Sequence, residues 1–307
     1  MVGAPAKRRA IKAVVERGLG TIAQGCRALG LNRTLFYKRG QVSDRNKDLH
    51  RRIVETSQEH PRYGYRRIRA ILYRDQELCV NNKRIARVRR IEGLQVHKKQ
   101  KRTRRVGPES QLRSRAQAPN EVWSWDFVHD MTENGTRFRI LTLIDEHTRQ
   151  CLAIRPGWSI RALDAIETLK VAMAQYGHPK HIRSDNGPEF IAYAIQDWLS
   201  EQSIGPMYIK PGSPWEQGHI ESFHDKLRDE CLNRELFGTL SEAIAVLEDW
   251  RKEYNEYRPH SSLGYQTPDE YRANVNGRLR SDSVLPTSTI DKITEQRQKT
   301  ITVELQV

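Results

Sequence analysis

The chain has 307 residues, of which 37% are hydrophobic, and a formal net charge of +14 at pH 7. It is long enough for two or three domains with hydrophobic cores, and its charge indicates an anionic partner. Four scattered cysteines without a C-x-x-C pair argue against a disulfide scaffold or a cysteine-rich zinc site. With no apolar run near the roughly 20 residues of a membrane span and no secretory signal, we expect a cytoplasmic protein without membrane contact.

The charge is divided unevenly along the chain. Residues 1–120 contain 31 Lys and Arg against 9 Asp and Glu, a net of +22, whereas residues 121–307 contain 21 against 29, a net of −8. A basic front half suits the binding of phosphates, and an acidic rear half suits the binding of cations. A charge that serves solubility alone is the less favoured explanation of this asymmetry.

Residues 1–43 are predicted to form a helix-turn-helix-like unit. Apolar Ile11, Val14 and Val15 fit one helical face, and a second face ends at Gly30, a typical C-terminal stop. Asn32 is a suitable cap for a short third helix. Ordinary helical hairpins share this pattern, so it does not establish DNA binding alone.

Residues 44–97 are predicted to form a second helix-turn-helix domain, with helices over 48–59, after residue 67, and over 83–91. Asn81 or Asn82 caps the last of these. On that helix the arginines follow a face of their own, and a solvated face would normally mix charge signs, whereas Glu92 is the only acid there. We therefore favour DNA contact, and the predicted contact residues are Arg66, Arg67, Lys83, Arg84, Arg87 and Arg90.

Residues 98–119 form a basic, weakly apolar linker that we expect to be disordered without a ligand. Tracking of DNA phosphates is the simpler explanation, and a localisation signal is the alternative. The predicted DNA-contact residues here are Lys98, Lys99, Lys101, Arg102, Arg104 and Arg105.

From residue 120 the pattern changes to alternating strands and helices. Strands are predicted over 121–129, 137–145, 151–155, 181–184 and 205–209, and helices over 160–176, 190–201, 214–232 and 240–257. This order predicts an RNase H-like α/β fold over residues 120–275, preceded by the small all-α units. Residues 276–307 carry no clear signal and are assigned to a C-terminal tail.

Three carboxylates in this core carry a specific chemistry. Asp126 lies in the first strand, Asp185 follows the fourth strand in Ser184-Asp185-Asn186-Gly187, and Glu221 lies 36 residues later in a predicted helix. The first and fourth strands are neighbours in the proposed fold, and a helix can bring Glu221 to them. Such carboxylates suit two Mg²⁺ or Mn²⁺ ions that activate a hydroxyl and stabilise a pentacovalent phosphate.

Other interpretations of these acidic residues remain open. Asp185 could belong to an ordinary turn and Glu221 to a solvated helix face, and the competing carboxylates are Asp130, Asp145, Glu189, Glu216 and Asp225. We prefer Glu221 because Arg228 follows seven residues later, two α-helical turns along, where it can meet a phosphate. Zinc binding by His178, His181, His219 and His224 is disfavoured without cysteines at ligand spacing, and His219 and His224 fit DNA or the surroundings of the carboxylates better.

Five segments carry a family resemblance. They are Trp123-x-x-Asp126, Ser184-Asp-Asn-Gly-Pro-Glu-Phe190, Pro211-Gly-Ser-Pro-Trp-Glu-Gln-Gly-His-Ile-Glu221 to Asn233, Tyr254-Asn-Glu-Tyr-Arg-Pro-His260 to Pro268, and the helix-turn-helix motif His60-Pro-x-Tyr-Gly-Tyr-Arg-Arg67. With them the chain resembles the second-frame (OrfB) product of insertion sequence three family transposases, which have a core related to retroviral integrases. The resemblance covers about residues 20–275. No His-His-Cys-Cys zinc domain precedes the core, which favours the bacterial branch.

The resemblance implies a DDE transposase in which Asp126, Asp185 and Glu221 bind two Mg²⁺ (or Mn²⁺) ions. It implies hydrolysis at the end of the element and attack by the freed 3′-hydroxyl on another phosphodiester. Gln217 stands where the family commonly has Asn, and its amide should still reach a phosphate. The implied partners are double-stranded DNA at element ends and target, further copies of the chain assembled on DNA, and a first-frame (OrfA) protein, in a bacterial, nucleoid-associated setting.

Two rival functions follow from the same residues. One is a catalytically inactive DNA-binding regulator derived from such an element, which the complete set of three carboxylates disfavours. The other is an RNase H-type nuclease for RNA–DNA hybrids, which the helix-turn-helix units disfavour.

Overall fold

The computed structural model of the protein describes residues 3–37, 43–96, 116–185, 187, 192–208 and 218–282, with the backbone alone for residues 278–282. Two three-helix units precede an α/β core. The predicted linker contacts Lys98, Lys99, Lys101, Arg102, Arg104 and Arg105, the predicted phosphate contact Gln217, and the alternatives Glu189 and Glu216 lie outside the described residues.

The first unit consists of α1 (Ala4–Glu16), α2 (Ile22–Ala28) and α3 (Arg33–Tyr37). Its small core is formed by Ile11, Cys26 and Leu31. The predicted cap is present, because the Asn32 side chain accepts a 2.8 Å hydrogen bond from the Thr34 amide. The predicted apolar face is wrong at Val14, which is exposed.

The second unit consists of α4 (Asp44–Glu59), α5 (Tyr65–Gln76) and α6 (Asn82–Ile91). Helix α4 begins four residues before the predicted start because Ser43 caps it, with its hydroxyl accepting from the Asn46 amide. At α6 the cap is Asn81, whose side chain accepts a 2.8 Å hydrogen bond from the Lys83 amide. The apolar faces of the three helices meet in one cluster, which contains Ile53, Tyr63, Ile68, Ile71, Leu72, Val80, Ile85 and Val88.

The core is built on a five-stranded sheet. Its strands are β1 (Val122–Met131), β2 (Arg137–Asp145), β3 (Cys151–Gly157), β4 (His181–Ser184) and β5 (Gly205–Tyr208), in the spatial order β3-β2-β1-β4-β5. The first three strands form an antiparallel meander, whereas β4 pairs in parallel with both β1 and β5. This arrangement confirms the predicted RNase H-like α/β fold, with β1 in the centre.

Helices cover both faces of the sheet. Because successive side chains of a strand point to opposite faces, Trp123 and Trp125 of β1 pack with α7 (Ala162–Tyr176) and α8 (Tyr193–Glu201). Val128 points the other way and packs with α9 (Gly218–Leu227) and α10 (Leu240–Lys252). Each face therefore has its own apolar cluster, and β1 lies between them.

The structure differs from the sequence-based prediction in the last third of the chain. The predicted helix over 214–232 ends as α9 at Leu227 and continues as a π-helical turn, Arg228–Leu232. Helix α10 likewise passes into a π-helical turn, Glu253–Tyr257. A further helix, α11 (Pro268–Asp282), crosses the predicted boundary at residue 275. In the part of the chain described, no helix has both the length and the apolar character to cross a membrane.

One buried amide joins the second π-helical turn to the outer strand of the sheet. Asn255 accepts a 2.8 Å hydrogen bond from the Cys151 amide and donates another of 2.8 Å to the Cys151 carbonyl. The same carbonyl also accepts from Arg251 at 3.3 Å. The Cys151 carbonyl therefore has two partners, whereas its buried amide depends on Asn255.

We expect Asn255→Ala to lower the free energy of unfolding by roughly 1–3 kcal/mol, the cost of leaving a buried amide without a partner. Urea denaturation measures this change. Asn274→Ala is the matched control, because Asn274 is exposed on α11, and it should stay within about 0.5 kcal/mol of the parent. Equal stabilities for the two variants would contradict the assignment.

Candidate active site and nucleic-acid interface

Strand pairing places Asp126 beside Asp185. In the parallel ladder Ser124 of β1 stands opposite Arg183 of β4, and extending this register by two residues brings Asp126 level with Asp185. Neighbouring strands lie about 4.8 Å apart, and residues at matching positions point to the same face. The sequence-based expectation that the first and fourth strands adjoin is therefore confirmed.

Glu221 reaches the same region from α9. It lies in the first turn of that helix and is exposed, whereas Ile220, Phe223 and Leu227 are buried against the sheet. Val128, two residues beyond Asp126 on the same face of β1, belongs to the cluster that these three residues join. Burial of one face of α9 therefore fixes the helix on the side of the sheet that carries Asp126.

The three carboxylates interact electrostatically. The pKa of Asp126 is raised to about 6, mainly by burial and further by the negative charges of Asp185 and Glu221, against a hydrogen bond from the Phe127 amide. At neutral pH the ionised Asp126 is thus a half-buried anion beside two further carboxylates. A cation in this position would relieve both the burial and the repulsion.

His224 and Thr142 surround Asp126. The Thr142 hydroxyl lies 3.0 Å from the Asp126 carbonyl and 2.8 Å from His224 Nε2, and His224 Nδ1 lies 3.7 Å from a carboxylate oxygen of Asp126. Burial, with the nearby charge of Arg228, lowers the pKa of His224 to about 4. The ring is therefore neutral at pH 7, and its contact with Asp126 is not an ion pair. The sequence analysis did not identify Thr142 as a site residue. It stands opposite Asp126 in the antiparallel pairing of β1 with β2, and this register is the one signal that could have indicated it.

The donor chemistry fits a hard divalent cation, since carboxylate oxygens are the ligands that Mg²⁺ and Mn²⁺ prefer. Among the described residues, however, no three His, Cys, Asp or Glu side chains lie close enough together to hold a metal ion. Asp126, Asp185 and Glu221 thus influence one another without forming a compact ligand set. Shared coordination needs a closer approach of these carboxylates.

Of the competing carboxylates that the structure describes, Asp145 and Asp130 have other partners. Asp145 is fully buried and accepts hydrogen bonds from the amides of Asn120, His147 and Thr148 at 2.7–2.9 Å, so it stabilises the turn after β2. Asp130 accepts a 2.8 Å hydrogen bond from the Met131 amide at the far end of β1. Asp225 is exposed on α9.

Arg228 does not keep the α-helical spacing expected from sequence. Helix α9 ends at Leu227, and Arg228 opens the π-helical turn, where it is exposed and donates to the His129 carbonyl at 3.3 Å. His129 lies three residues beyond Asp126 along β1. The guanidinium is therefore near the predicted site but displaced toward the end of the strand.

Helix α6 carries a basic surface. Lys83, Arg87 and Arg90 are exposed, and Arg84 is half-buried with a 2.6 Å hydrogen bond to Asn46. Arg89 has a different role, because it is buried and donates to Ser57 and to the Leu94 carbonyl. The exposed cations form a surface suited to DNA phosphates.

The prediction that Arg67 contacts DNA requires a correction. Its side chain is only 18% exposed and donates a 3.2 Å hydrogen bond to Glu230 of the core. Its neighbour Arg66 is exposed, and the hydroxyls of Tyr65 and Tyr265 raise its pKa. Arg67 therefore belongs to the contact between the second helical unit and the core, whereas Arg66 keeps a solvent-facing guanidinium.

Comparison with known protein families gives three matches. The Integrase core domain family matches residues 116–214 in one form and residues 202–268 in a second form. The HTH-like domain family matches residues 43–102. These limits overlap the α/β core and the second helical unit.

Similar proteins come from bacterial insertion elements. The chain is 40% identical to an uncharacterized 31.7 kDa protein of insertion element IS407 from Burkholderia multivorans, over 81% of this chain and 90% of that one. It is 37% identical to a 39.2 kDa protein of IS476 from Xanthomonas euvesicatoria, over 91% and 80%. A magnesium-bound HTLV-2 integrase catalytic core aligns with 52% of this chain and 99% of its own, at 18% identity and a TM-score of 0.42.

We expect Asp126→Asn to stabilise the protein at pH 7–8. A carboxyl whose pKa is raised on folding destabilises the fold once ionised, so the effect is absent below pH 4, grows between pH 4 and 6, and is complete above pH 6. The shift of about two units corresponds to about 3 kcal/mol, and the 20% exposure of the side chain reduces this to about 1–2 kcal/mol.

Denaturant unfolding at pH 4 and pH 7.5, without divalent cations, measures this effect. The two proteins should be equally stable at the lower pH and should differ at the higher one. A gain that is the same at both pH values would contradict the electrostatic explanation.

Proposed function

The chain belongs to the insertion-element transposases of the insertion sequence three family, and we propose that it catalyses divalent-metal-dependent cleavage and strand transfer of DNA. The observation that supports this proposal best is the β1–β4 register, which extends to Asp126 level with Asp185, with Glu221 on the helix packed against the same face of the sheet. That arrangement is difficult to explain by stability, since it costs free energy unless a cation is bound.

In this proposal Asp126, Asp185 and Glu221 would together hold two Mg²⁺ or Mn²⁺ ions, which requires a closer approach of the three carboxylates. Bound ions would activate the attacking oxygen and stabilise charge on the leaving oxygen. His224, neutral and in contact with Thr142, holds the Asp126 side of the site in place. Arg228 offers an exposed guanidinium to a nearby phosphate.

The proposed substrate is double-stranded DNA, at the ends of the element and at the target. Lys83, Arg87 and Arg90 supply exposed cations on α6, and Arg66 adds another on α5. Joining two ends requires more than one copy of the chain, so we propose assembly of copies on DNA. A first-frame partner protein, implied by the family resemblance alone, stays a prediction.

We expect Asp185→Asn to retain DNA binding and to lose strand transfer at least about a hundredfold, more than is typical when a residue outside the ligand shell is changed. The assay joins a duplex with the terminal repeat of the element to a plasmid in Mg²⁺ or Mn²⁺. Thermal denaturation gives a second readout, because Mn²⁺ should stabilise the parent and have a smaller effect on the variant.

Asp130→Asn is the matched control, since it makes the same chemical change elsewhere on the central strand. It should join DNA at nearly the parental rate. Full joining by Asp185→Asn, or loss in Asp130→Asn alone, would overturn the assignment. DNA binding by the parent without any joining in either metal would favour the inactive regulator.

We expect Arg87→Ala to weaken binding of a duplex oligonucleotide and to reduce the slope of log affinity against log salt by about one. Arg51→Ala is the control, because Arg51 is exposed but its guanidinium already pairs with Asp48 and Glu55 of the same helix. Fluorescence anisotropy over a salt series measures both. Equal slopes for Arg87→Ala and the parent would remove α6 from the DNA surface.

A further inference from the structure

The second helical unit docks on the core through a buried charge cluster. Glu230 accepts hydrogen bonds of 2.5 and 2.6 Å from Arg258, through both carboxylate oxygens, and one of 3.2 Å from Arg67. Exposure of the three side chains is 5%, 1% and 18%. Glu230 and Arg258 belong to the core and Arg67 belongs to α5, so the cluster crosses the contact between the second helical unit and the core.

Arg67 is not needed to neutralise Glu230. The two-point pair with Arg258 already balances the carboxylate, and burial together with the charge of Arg258 lowers the pKa of Arg67. The face of Tyr63 offers partial compensation, since its ring centre lies 5.4 Å from the Arg67 guanidinium carbon and 5.8 Å from that of Arg258. The contribution of Arg67 is therefore to join the two parts.

Polar contacts around the cluster continue the docking surface. Arg62 forms an ion pair with Asp229, and the Tyr63 hydroxyl donates to Glu253 at 3.2 Å. Arg74 lies 4.2 Å from the ring centre of Tyr257 and donates to its carbonyl at 2.8 Å. The helical unit thus contacts both π-helical turns of the core.

The contacts of Arg62 and Arg67 fall on the helix that carries a proposed catalytic residue. Glu230 and Asp229 lie in the π-helical turn that directly continues α9, and Glu221 is nine residues before Glu230 on the same continuous helix. At an α-helical rise of 1.5 Å per residue the two are about 13 Å apart. A force on the turn therefore acts on the segment that bears Glu221.

We infer that the docking contacts of Arg62 and Arg67 with Asp229 and Glu230 position the helix that carries Glu221, so that the DNA-binding unit and the third carboxylate move together. Arg62 and Arg67 are positioning residues, since neither touches the reacting atoms. This inference rests on the proposed function, because it concerns strand transfer. DNA bound to α6 and the Glu221 carboxylate on α9 keep a fixed distance and orientation only while the buried charge cluster is intact.

The Arg62–Asp229 pair allows a charge-swap test, because both side chains are about one-third exposed and tolerate reversal better than the buried cluster. Arg62→Asp and Asp229→Arg each place like charges in contact, whereas the double variant restores opposite charges. Arg45→Asp is the control, since it makes the same charge change at an exposed residue of α4.

Docking can be measured without activity. Cys79 is exposed on the helical unit, whereas the other three cysteines are buried, so a nitroxide on Cys79 can be paired with one on Ser200→Cys at an exposed position of α8. The distribution of distances between the labels should be narrow in the parent and Arg45→Asp. It should broaden in each single swap variant and narrow again in the double variant.

Strand transfer is measured on the same proteins with the terminal-repeat duplex. We expect each single swap to lower transfer about tenfold while duplex affinity stays within about twofold of the Arg45→Asp control, and the double variant to recover most of the rate. Arg67→Met, folded by circular dichroism, should behave like the single swaps. Broadened docking with unchanged transfer, or reduced transfer without recovery in the double variant, would overturn the inference.

Failure of the proposed function is distinguishable from these outcomes. If the parent joins no DNA in Mg²⁺ or Mn²⁺, the transposase proposal fails, and the link to catalysis fails with it. If the parent joins DNA and the swap variants do so equally well, only the positioning role is lost.

Discussion

Burial of a carboxylate on the central strand, beside two further carboxylates, is the constraint around which the core is organised. The β1–β4 register sets Asp126 beside Asp185, and α9 adds Glu221, although the ionised form of Asp126 is disfavoured there. A fold can hold such an arrangement only if its surroundings are rigid. The apolar clusters on both faces of the sheet supply this rigidity, because β1 is packed between them and cannot shift to separate the charges.

Much of the fold was predictable from sequence because it depends on local signals. The strands over 137–145 and 181–184 were predicted with the limits that the structure has, and for the first of them a run of apolar residues between turn signals defines these limits. The cap at Asn32 followed from side-chain chemistry, which for α6 left Asn81 and Asn82 as equal candidates. The assignment of the three carboxylates to one metal site stays a prediction, and their spacing, which forms no compact ligand set among the described residues, depends on tertiary packing.

What could not be predicted depends on contacts between distant segments. Arg67 was assigned to DNA because it stands in a basic motif, yet its partner Glu230 lies 163 residues away. The π-helical turns were also unpredictable, since the apolar periodicity of 214–232 and 240–257 suits uninterrupted α-helices. In the structure these turns bring Glu230 and Arg258 together, and a buried ion pair of this kind leaves no local pattern in the sequence.

The hydrogen bonds of Asn255 to Cys151 have a consequence for how copies of the protein can associate. Cys151 begins β3, the outermost strand on that side of the sheet, and its peptide groups are already occupied by a side chain of the same molecule. An incoming chain finds no free backbone donor or acceptor at this residue, so edge-to-edge aggregation cannot start there. Self-association of the folded protein must then use surfaces other than the beginning of this border strand.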